Sequence, residues 1–491
     1  MKLKSILYVI GIVLMFVGLS MLLPLGFAIF YGEDGEVINF LTAMAITITT
    51  GLLIFRFTEF NKNLSNKEGI LIGAMGWLIV PFFGSLPYIL SGTLPNWYDA
   101  YFEAVSGFTT TGATVMVNIE GAPKSVLLWR SFTQWLGAMG ILLVFVALIS
   151  KMGIGGTRLL KAETPGPTVS KILPRVSQYA KAIWIVYIAL TIIEIIILML
   201  VGLDFYEALN HTFTSIATGG FSTRNAGLAA FDNHLVDFVV IAFMIIGGGN
   251  FALYYIVFTK RAPLLLFKDE EYRSYLLVLL IGLLIAIISL SLDYYGNISD
   301  AIRFGTFQIV SLLTGAGHVT YDYDKWTTMV KMLLFTLMFF GGCQYSTTGG
   351  IKMVRMLMAL KFINGEIRKL VHPRLIYQIR INNIPVQDSV VSNVIGFFLL
   401  YFIFFFVTAI ILSGFGFDKV SSVTASAAIL GNVGPAMGLF GPTQTYAELP
   451  NIIKLWLSLT MIMGRLEIYP MLILFQVFIS KKDRMSLLRS N

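Results

Sequence analysis

Four short stretches are where this sequence could do chemistry: Thr110-Thr111-Gly112, Ala217-Thr218-Gly219, Leu313-Thr314-Gly315 and Asn432-Val433-Gly434. None contains an acid, a base or a thiolate, so proton transfer and side-chain metal ligation have no groups to work with there. What these stretches offer is backbone. Glycine reaches angles barred to other residues, so an extended turn containing it can point successive carbonyl oxygens one way, with threonine hydroxyls as further oxygen ligands. A ring of such carbonyls can replace the hydration shell of a monovalent cation.

Side chains suited to catalysis are scattered elsewhere. His211, His234, His318 and His372 lie in separate loops, no HExxH pattern occurs, and no paired carboxylates sit within an apolar run. The single cysteine, Cys343, excludes an intrachain disulfide and a cysteine metal cluster. GIGGT at 153–157 lacks the strand and helix that frame a dinucleotide site. An enzyme is not expected.

The elements that must position the four stretches are membrane helices. With 56% hydrophobic and 13% charged residues, apolar runs recur that each supply the roughly 20 residues a bilayer crossing needs. The N-terminal run, Ile6 to Phe30, exceeds the roughly 7 to 15 apolar residues of a signal peptide and reads as an uncleaved anchor. The fold class expected is an all-α polytopic membrane protein.

A net charge of +8 is explained by topology rather than by nucleic acid. Lys151, Arg158, Lys161, Lys171, Arg175 and Lys181 share one loop, and Lys352, Arg355, Lys361, Arg368, Lys369, Arg374 and Arg380 another. Alternate loops carry Glu33, Asp34, Glu36, then Asp204, Glu207, Asp232, Asp237, then Asp293, Asp300, Asp322, Asp324. By the positive-inside rule the basic loops and both termini, with Lys481, Lys482 and Arg484, are cytoplasmic.

After two spans (about 5–30 and 37–56) one plan occurs four times: an outward span, a short helix, a glycine turn and a returning span. The outward spans are about 69–90, 181–203, 275–293 and 391–414, and the returning spans about 124–150, 235–258, 326–360 and 451–479, ten crossings in all. The corresponding units are an N-terminal hairpin, 1–68, and four repeats, 69–165, 166–268, 269–380 and 381–491. Gly112, Gly219, Gly315 and Gly434 align as the turn glycines. Each returning span has its own mark: Gly137 and Gly140, Gly247 to Gly249, Gly341 and Gly342, and Gly464. Two crossings per unit return every unit in the same orientation, so four like turns converge on one axis and form a pore. The short helices run inward, aiming their partly negative ends at the cation.

The third returning span is interrupted by GGCQYSTTGG: Gly341, Gly342, Cys343, Gln344, Tyr345, Ser346, Thr347, Thr348, Gly349 and Gly350. Glycine in a helix costs about 1 kcal/mol relative to alanine, and this stretch is more polar than helix packing through small residues requires. An unwound loop below the turns is expected, obstructing the axis. Arg465, deep in the fourth returning span, should face the interior, where it would hold loop carbonyls and oppose cations; pairing with Glu467 or another carboxylate is the alternative.

SGFTTTGA, SIATGGFST, LLTGAG and LGNVGP resemble the four pore loops of the Trk, Ktr and HKT potassium transporters from about residue 69 to the end, and the extra N-terminal hairpin is similar to the Trk branch of TrkH- or TrkG-type membrane subunits. The resemblance implies potassium uptake across a bacterial inner membrane, a homodimer, a cytoplasmic TrkA-type nucleotide-binding ring, an intramembrane gating loop, and potassium as substrate with no organic cofactor. In some plant HKT members a serine at the first turn accompanies sodium transport; Gly112 stands there, favouring potassium. One glycine per turn implies fewer ion sites than in TVGYG channels, and imperfect rejection of sodium and rubidium. Channel-like conduction and symport of potassium or sodium with protons or sodium both fit the residues. The basic loops are the candidate docking surface for a partner.

Overall fold

A computed structural model describes residues 3–59, 65–139 and 176–477. The loop of Lys151 to Lys181, Gly140, and Lys481, Lys482 and Arg484 lie outside the described side chains. Among the described residues, six helices are long and apolar enough to cross a bilayer: Leu3–Tyr31, Asp34–Phe57, Lys67–Leu90, Ala182–Leu200, Glu270–Asp293 and Asp388–Gly414. They are the N-terminal hairpin and the four outward spans. Helices satisfy their own backbone polar groups, the condition hydrocarbon imposes, and side chains such as Leu284 and Phe406 face outward where lipid lies. In the hairpin, Gly11 and Gly51 meet so closely that a Cβ on either would lie 2.8 or 2.6 Å from the other's carbonyl oxygen. Small residues permit that crossing. Glu33, between the two helices, accepts the N–H groups of Lys124 at 2.8 Å and Ser125 at 3.1 Å, capping the first returning helix.

Inside this wall lie four shorter loop helices: Trp97–Phe108, Phe205–Ser215, Ile298–Asp300 continuing through Ala301–Gly305 into Thr306–Leu313, and Lys419–Leu430. Their starts are written in the sequence. Asn96, Asp204, Asn297 and Asp418 precede them, and each side chain accepts a first-turn N–H, at 3.0, 2.8, 2.9 and 2.9 Å for Tyr98, Glu207, Asp300 and Val420. The third passes through a π turn at Ala301–Gly305.

The returning spans correct an expectation. Sequence alone breaks only the third, whereas the structure breaks three. His234–Gly247 and Phe251–Lys260 meet at 95°, and Asn451–Arg465 and Tyr469–Val477 at 118°. The third stops at Leu337 and resumes at Met353, and the first, Lys124–Ala138, ends at the edge of the described region. The breaks lie at the marked glycines, and contact explains three of those marks. A Cβ on Gly137 would lie 1.8 Å from the Phe108 carbonyl oxygen, on Gly247 2.9 Å from that of Ile216, and on Gly464 2.2 Å from that of Leu430. Each returning helix thus presses its backbone on the last turn of its own loop helix. A hydrophobicity scan sees an uninterrupted apolar run and misses the bend.

Gly137→Ala should therefore lower the unfolding temperature of the solubilised protein, overpacking costing about 1–3 kcal/mol. Gly414→Ala, with nothing within 4 Å of its Cβ, should leave it unchanged or higher. Equal temperatures for wild type and Gly137→Ala would remove close contact as the reason for this glycine.

Candidate functional site

All four loop helices end on the same closure. The N–H groups of Thr110, Thr218, Gly315 and Asn432 reach back to the carbonyls of Gly107, Ser215, Leu312 and Ile429 at 3.0, 3.0, 3.1 and 3.3 Å. Those of Thr111, Gly219, Ala316 and Val433 reach Ser106, Thr214, Ser311 and Ala428 at 2.9, 2.8, 2.8 and 2.8 Å. This pair of bonds is the Schellman motif, which needs a left-handed residue just past the helix. Thr110, Thr218, Gly315 and Asn432 supply it, with φ of 56°, 51°, 67° and 54°. A second left-handed residue follows: Gly112, Gly220, Gly317 and Gly434, at 79°, 81°, 69° and 93°.

These second glycines interlock the four turns. A Cβ on Gly112 would lie 2.2 Å from the Gly219 oxygen, on Gly220 2.2 Å from Ala316, on Gly317 2.1 Å from Val433, and on Gly434 2.4 Å from Thr111. Turn one abuts turn two, two abuts three, three abuts four, and four abuts one, through equivalent carbonyls each time. The ring is closed, and the turns converge as the repeats imply.

Register is the second correction. Gly219 and Gly315, aligned in the sequence with Gly112 and Gly434, are not their equivalents; Gly220 and Gly317 are. The closure that ends each helix sets the register, and its left-handed position accepts Thr or Asn as well as Gly, so the first glycine encountered is not a fixed marker. Of the twelve aligned residues, Thr110, Thr111, Gly112, Thr218, Gly219, Gly315, Asn432, Val433 and Gly434 fall within the ring positions, while Ala217 and Thr314 lie one step earlier and Leu313 two, towards the helices.

A second set of ties closes the ring outside. Ile119 N–H donates to Asn225 Oδ1 at 2.8 Å, Leu228 N–H to the Val319 carbonyl at 3.1 Å, Gly438 N–H to Asp324 Oδ2 at 2.9 Å, and Tyr446 N–H to the Thr114 carbonyl at 2.8 Å. Buried charge holds the first pair of turns. Glu103 accepts from Arg130 Nε at 2.6 Å, from Thr114 Oγ1 at 2.9 Å and from Val115 N–H at 2.9 Å. Arg130 also donates to the Ser222 carbonyl at 2.9 Å and lies 3.5 Å over the Phe221 ring. Every oxygen of this carboxylate is engaged, which makes its burial tolerable. Beyond the ring a cavity of about 140 Å³ is lined by Gly112, Gly220, Gly317 and Pro435, one residue from each turn, with Arg130 and Tyr446.

The segment between Leu337 and Met353 is non-helical and packs against the turns. Thr347 Oγ1 donates to the Ile216 and Gly247 carbonyls at 3.1 and 3.0 Å and meets Thr218 Oγ1 at 3.2 Å. A Cβ on Gly349 would lie 2.5 Å from Asn432 Cβ and 2.7 Å from the Gly431 oxygen. Gly342 N–H donates to Thr348 Oγ1 at 2.8 Å, Ser346 bonds Thr348 at 2.9 Å, Gly341 N–H bonds the Ile351 carbonyl at 2.6 Å, and Phe251 N–H reaches the Tyr345 carbonyl at 3.4 Å. Gly350 is left-handed at φ 66°.

Arg465 ties this loop to the ring. It donates to the carbonyls of Thr347 and Ala138 at 2.7 Å each, to that of Gly137 at 3.1 Å and to Thr110 Oγ1 at 3.1 Å. Glu467 pairs instead with Arg355, which also lies 4.0 Å over the Phe397 ring. The loop-carbonyl contact expected of Arg465 is made at Thr347, and the structure adds the carbonyls of Gly137 and Ala138.

Four residues of this region escape the sequence reading. Lys352, assigned only to topology, donates to the Thr348 carbonyl at 2.8 Å and Ser346 Oγ at 3.2 Å. Glu271 accepts loop N–H groups, and Gln134 Nε2 donates to the Gly219 carbonyl at 2.6 Å. Glu194 is fully buried in the second outward span and accepts from Ser215. Its signal was available: one carboxylate inside IALTIIEIIILML is costly enough to flag.

The sequence model of the TrkH family, described as a cation transport protein, matches residues 36–486. The Trk system potassium uptake protein TrkH of Halomonas elongata is 36% identical over 478 residues, covering 97% of this chain and 98% of that protein. TrkG of Escherichia coli K12, also named a Trk system potassium uptake protein, is 33% identical, covering 97% and 98%. The crystal structure of the potassium transporter TrkH from Vibrio parahaemolyticus superposes with a TM-score of 0.86 at 33% identity, covering 96% of this chain and 98% of that one.

The two left-handed positions predict opposite tolerance. Gly315→Asn should retain cation flux in proteoliposomes, because the nearest atom to a Cβ is 3.4 Å away and Asn432 already holds this conformation. Gly317→Ala, with the Val433 oxygen 2.1 Å from its Cβ, should lower flux well below that of Gly315→Asn. The reverse order would return the register to the one read from sequence.

Proposed function

The chain belongs to the TrkH family of cation transport proteins, a family of transporters rather than enzymes, and from that premise we propose that it takes up potassium across the bacterial inner membrane through the ring of turns. The single observation carrying this reading is the closed ring, in which every turn glycine abuts the next turn's carbonyl. Thr110, Thr111 and Gly112 with their three counterparts supply the oxygens that replace water around the ion. The C-terminal ends of four loop helices meet there, adding negative potential without a titratable acid. Uptake by the named relatives supports potassium as the substrate.

The loop below is the gate in this reading: Gly341, Gly342, Gln344, Tyr345, Ser346, Thr347, Thr348, Gly349 and Gly350 obstruct the axis, with Arg465 fastening Thr347. Arg465 and Lys352 place positive charge on a cation's route, so the same contacts act sterically and electrostatically. The basic loops and both termini face the cytoplasm, where a TrkA-type nucleotide-binding ring regulates a homodimer of this chain. No organic cofactor is required.

Proteoliposome flux with Gly112→Ser tests the filter. A serine Cβ would press on the Gly219 carbonyl and occupy a strained left-handed angle, so the potassium-to-sodium ratio should fall about tenfold, the effect of roughly 1.4 kcal/mol; an unchanged ratio rejects the assignment. For the gate, Arg465→Gln should raise basal potassium flux while the ratio stays put, and a flux at or below wild type counts against it. Proton-coupled symport is the second reading, favoured by Glu194. It predicts that a proton gradient drives potassium accumulation and that Glu194→Gln abolishes this; conduction indifferent to the gradient excludes it.

A further inference from the structure

Three consecutive acidic residues open the third outward span, and they hold two elements far apart in the chain. Glu271 is buried, and its Oε1 accepts the N–H groups of Gln344 at 2.5 Å and Val354 at 3.2 Å. One oxygen thus binds the loop on both sides of its Tyr345-to-Ile351 stretch. A buried carboxylate without donors is costly, so Glu271 commits to this pair, and charge-assisted bonds of this kind are among the stronger ones. The residues just before it face the opposite way. Asp269 Oδ2 accepts from Asn382 Nδ2 at 2.7 Å, and Glu270 N–H donates to Asn382 Oδ1 at 2.8 Å. Glu270 Oε2 pairs with Lys361 at 2.5 Å, and Lys361 also donates to the Arg380 carbonyl at 2.7 Å.

Asn382 sits in the turn of the ribbon Arg380–Ile381 with Ile384–Pro385, at φ 49°, and Arg380, Asn383 and Pro385 around it are exposed. We infer that this ribbon is a control handle for the loop: Asn382 grips the start of the third span, and Glu271, a positioning residue in the same rigid first turn, fixes the loop's span. Asp269, Glu270 and Glu271 belong to one capped first turn, Asp269 Oδ1 accepting Tyr272 N–H at 2.9 Å. A ribbon that is pulled or pressed by a partner moves that turn, and with it the anchor shared by Gln344 and Val354. The loop then has two discrete conditions, clasped and released, which is what coupling between a remote surface and the conduction path requires. This inference rests on the gating role proposed for the loop.

Cys343 makes the test direct. It is the chain's only cysteine, it lies beside Gln344, and it is fully buried. Full-length protein in proteoliposomes is treated from the ribbon side with a membrane-impermeant methanethiosulfonate, and labelling of Cys343 is followed alongside potassium flux. Asn382→Gly keeps the left-handed turn while removing the amide, so folding is not at risk; Glu271→Gln removes the charge and keeps the shape. Each should speed labelling about tenfold, the ratio corresponding to roughly 1.4 kcal/mol, and raise flux, with the potassium-to-sodium ratio unchanged. The double variant should label no faster than the faster single one, because both act on one clasp. Asn383→Gly, in the same turn, should match wild type. Wild-type labelling in Asn382→Gly, or additive effects in the double variant, would overturn the handle. Faster labelling with unaltered flux would leave the clasp standing and sink the gating role instead.

Discussion

Hydrocarbon offers no hydrogen bond to a peptide group, so backbone that leaves helical geometry inside a membrane has to be enclosed by the protein. The ring of turns is where this chain meets that constraint most severely. Its solution is to close each loop helix with two backbone bonds and then let each turn lean on the next. The carbonyls of Thr111, Gly219, Ala316 and Val433 each lie against the glycine of a neighbouring turn, so the four turns enclose one another's backbone.

The enclosure has costs that the surrounding residues offset. Three of the four closing residues are Thr or Asn held at positive φ, a conformation L-residues rarely take. They persist because neighbours determine them: Asn432 Nδ2 donates to Thr111 Oγ1 and to the Met461 carbonyl, both at 2.9 Å, while Thr110 receives Arg465. Glu103 and Arg130 do the same on the outer side. Buried charge here is distributed over carbonyls and N–H groups rather than left as isolated pairs, and it fixes the geometry between repeats more than it adds stability.

Broken returning helices follow from the same demand. For a returning span to touch the end of its loop helix it must bring backbone against backbone, so glycine stands at the contact and the helix turns away just beyond it. The third repeat departs furthest: Gly341 packs on the loop's own Gly349 and Ile351 rather than on a loop helix, and the freed segment packs against the turns through Thr347 and Gly349. One repeat of four has thus exchanged that contact for a non-helical segment, and Arg465 of the neighbouring repeat binds it at the Thr347 carbonyl.

By itself the sequence determined the class of fold, the four units, the loop-helix starts and the polar break in the third returning span. These are local properties: apolar run length, an Asx residue before a helix, and a run of small polar residues that no helix favours. Gly112 and Gly434 were legible as turn glycines for the same reason. Only the tertiary structure decided which glycines of repeats two and three are their partners, because Gly220 and Gly317 are distinguished by the carbonyl each touches in the next repeat, not by their own neighbours in the chain. Likewise the bends after Gly247 and Gly464, the carbonyls that Arg465 binds, and the reach of Glu271 to Gln344 and Val354 are contacts between segments distant in sequence. Such contacts arise from closing four units around one axis, a condition that no window of a single unit contains.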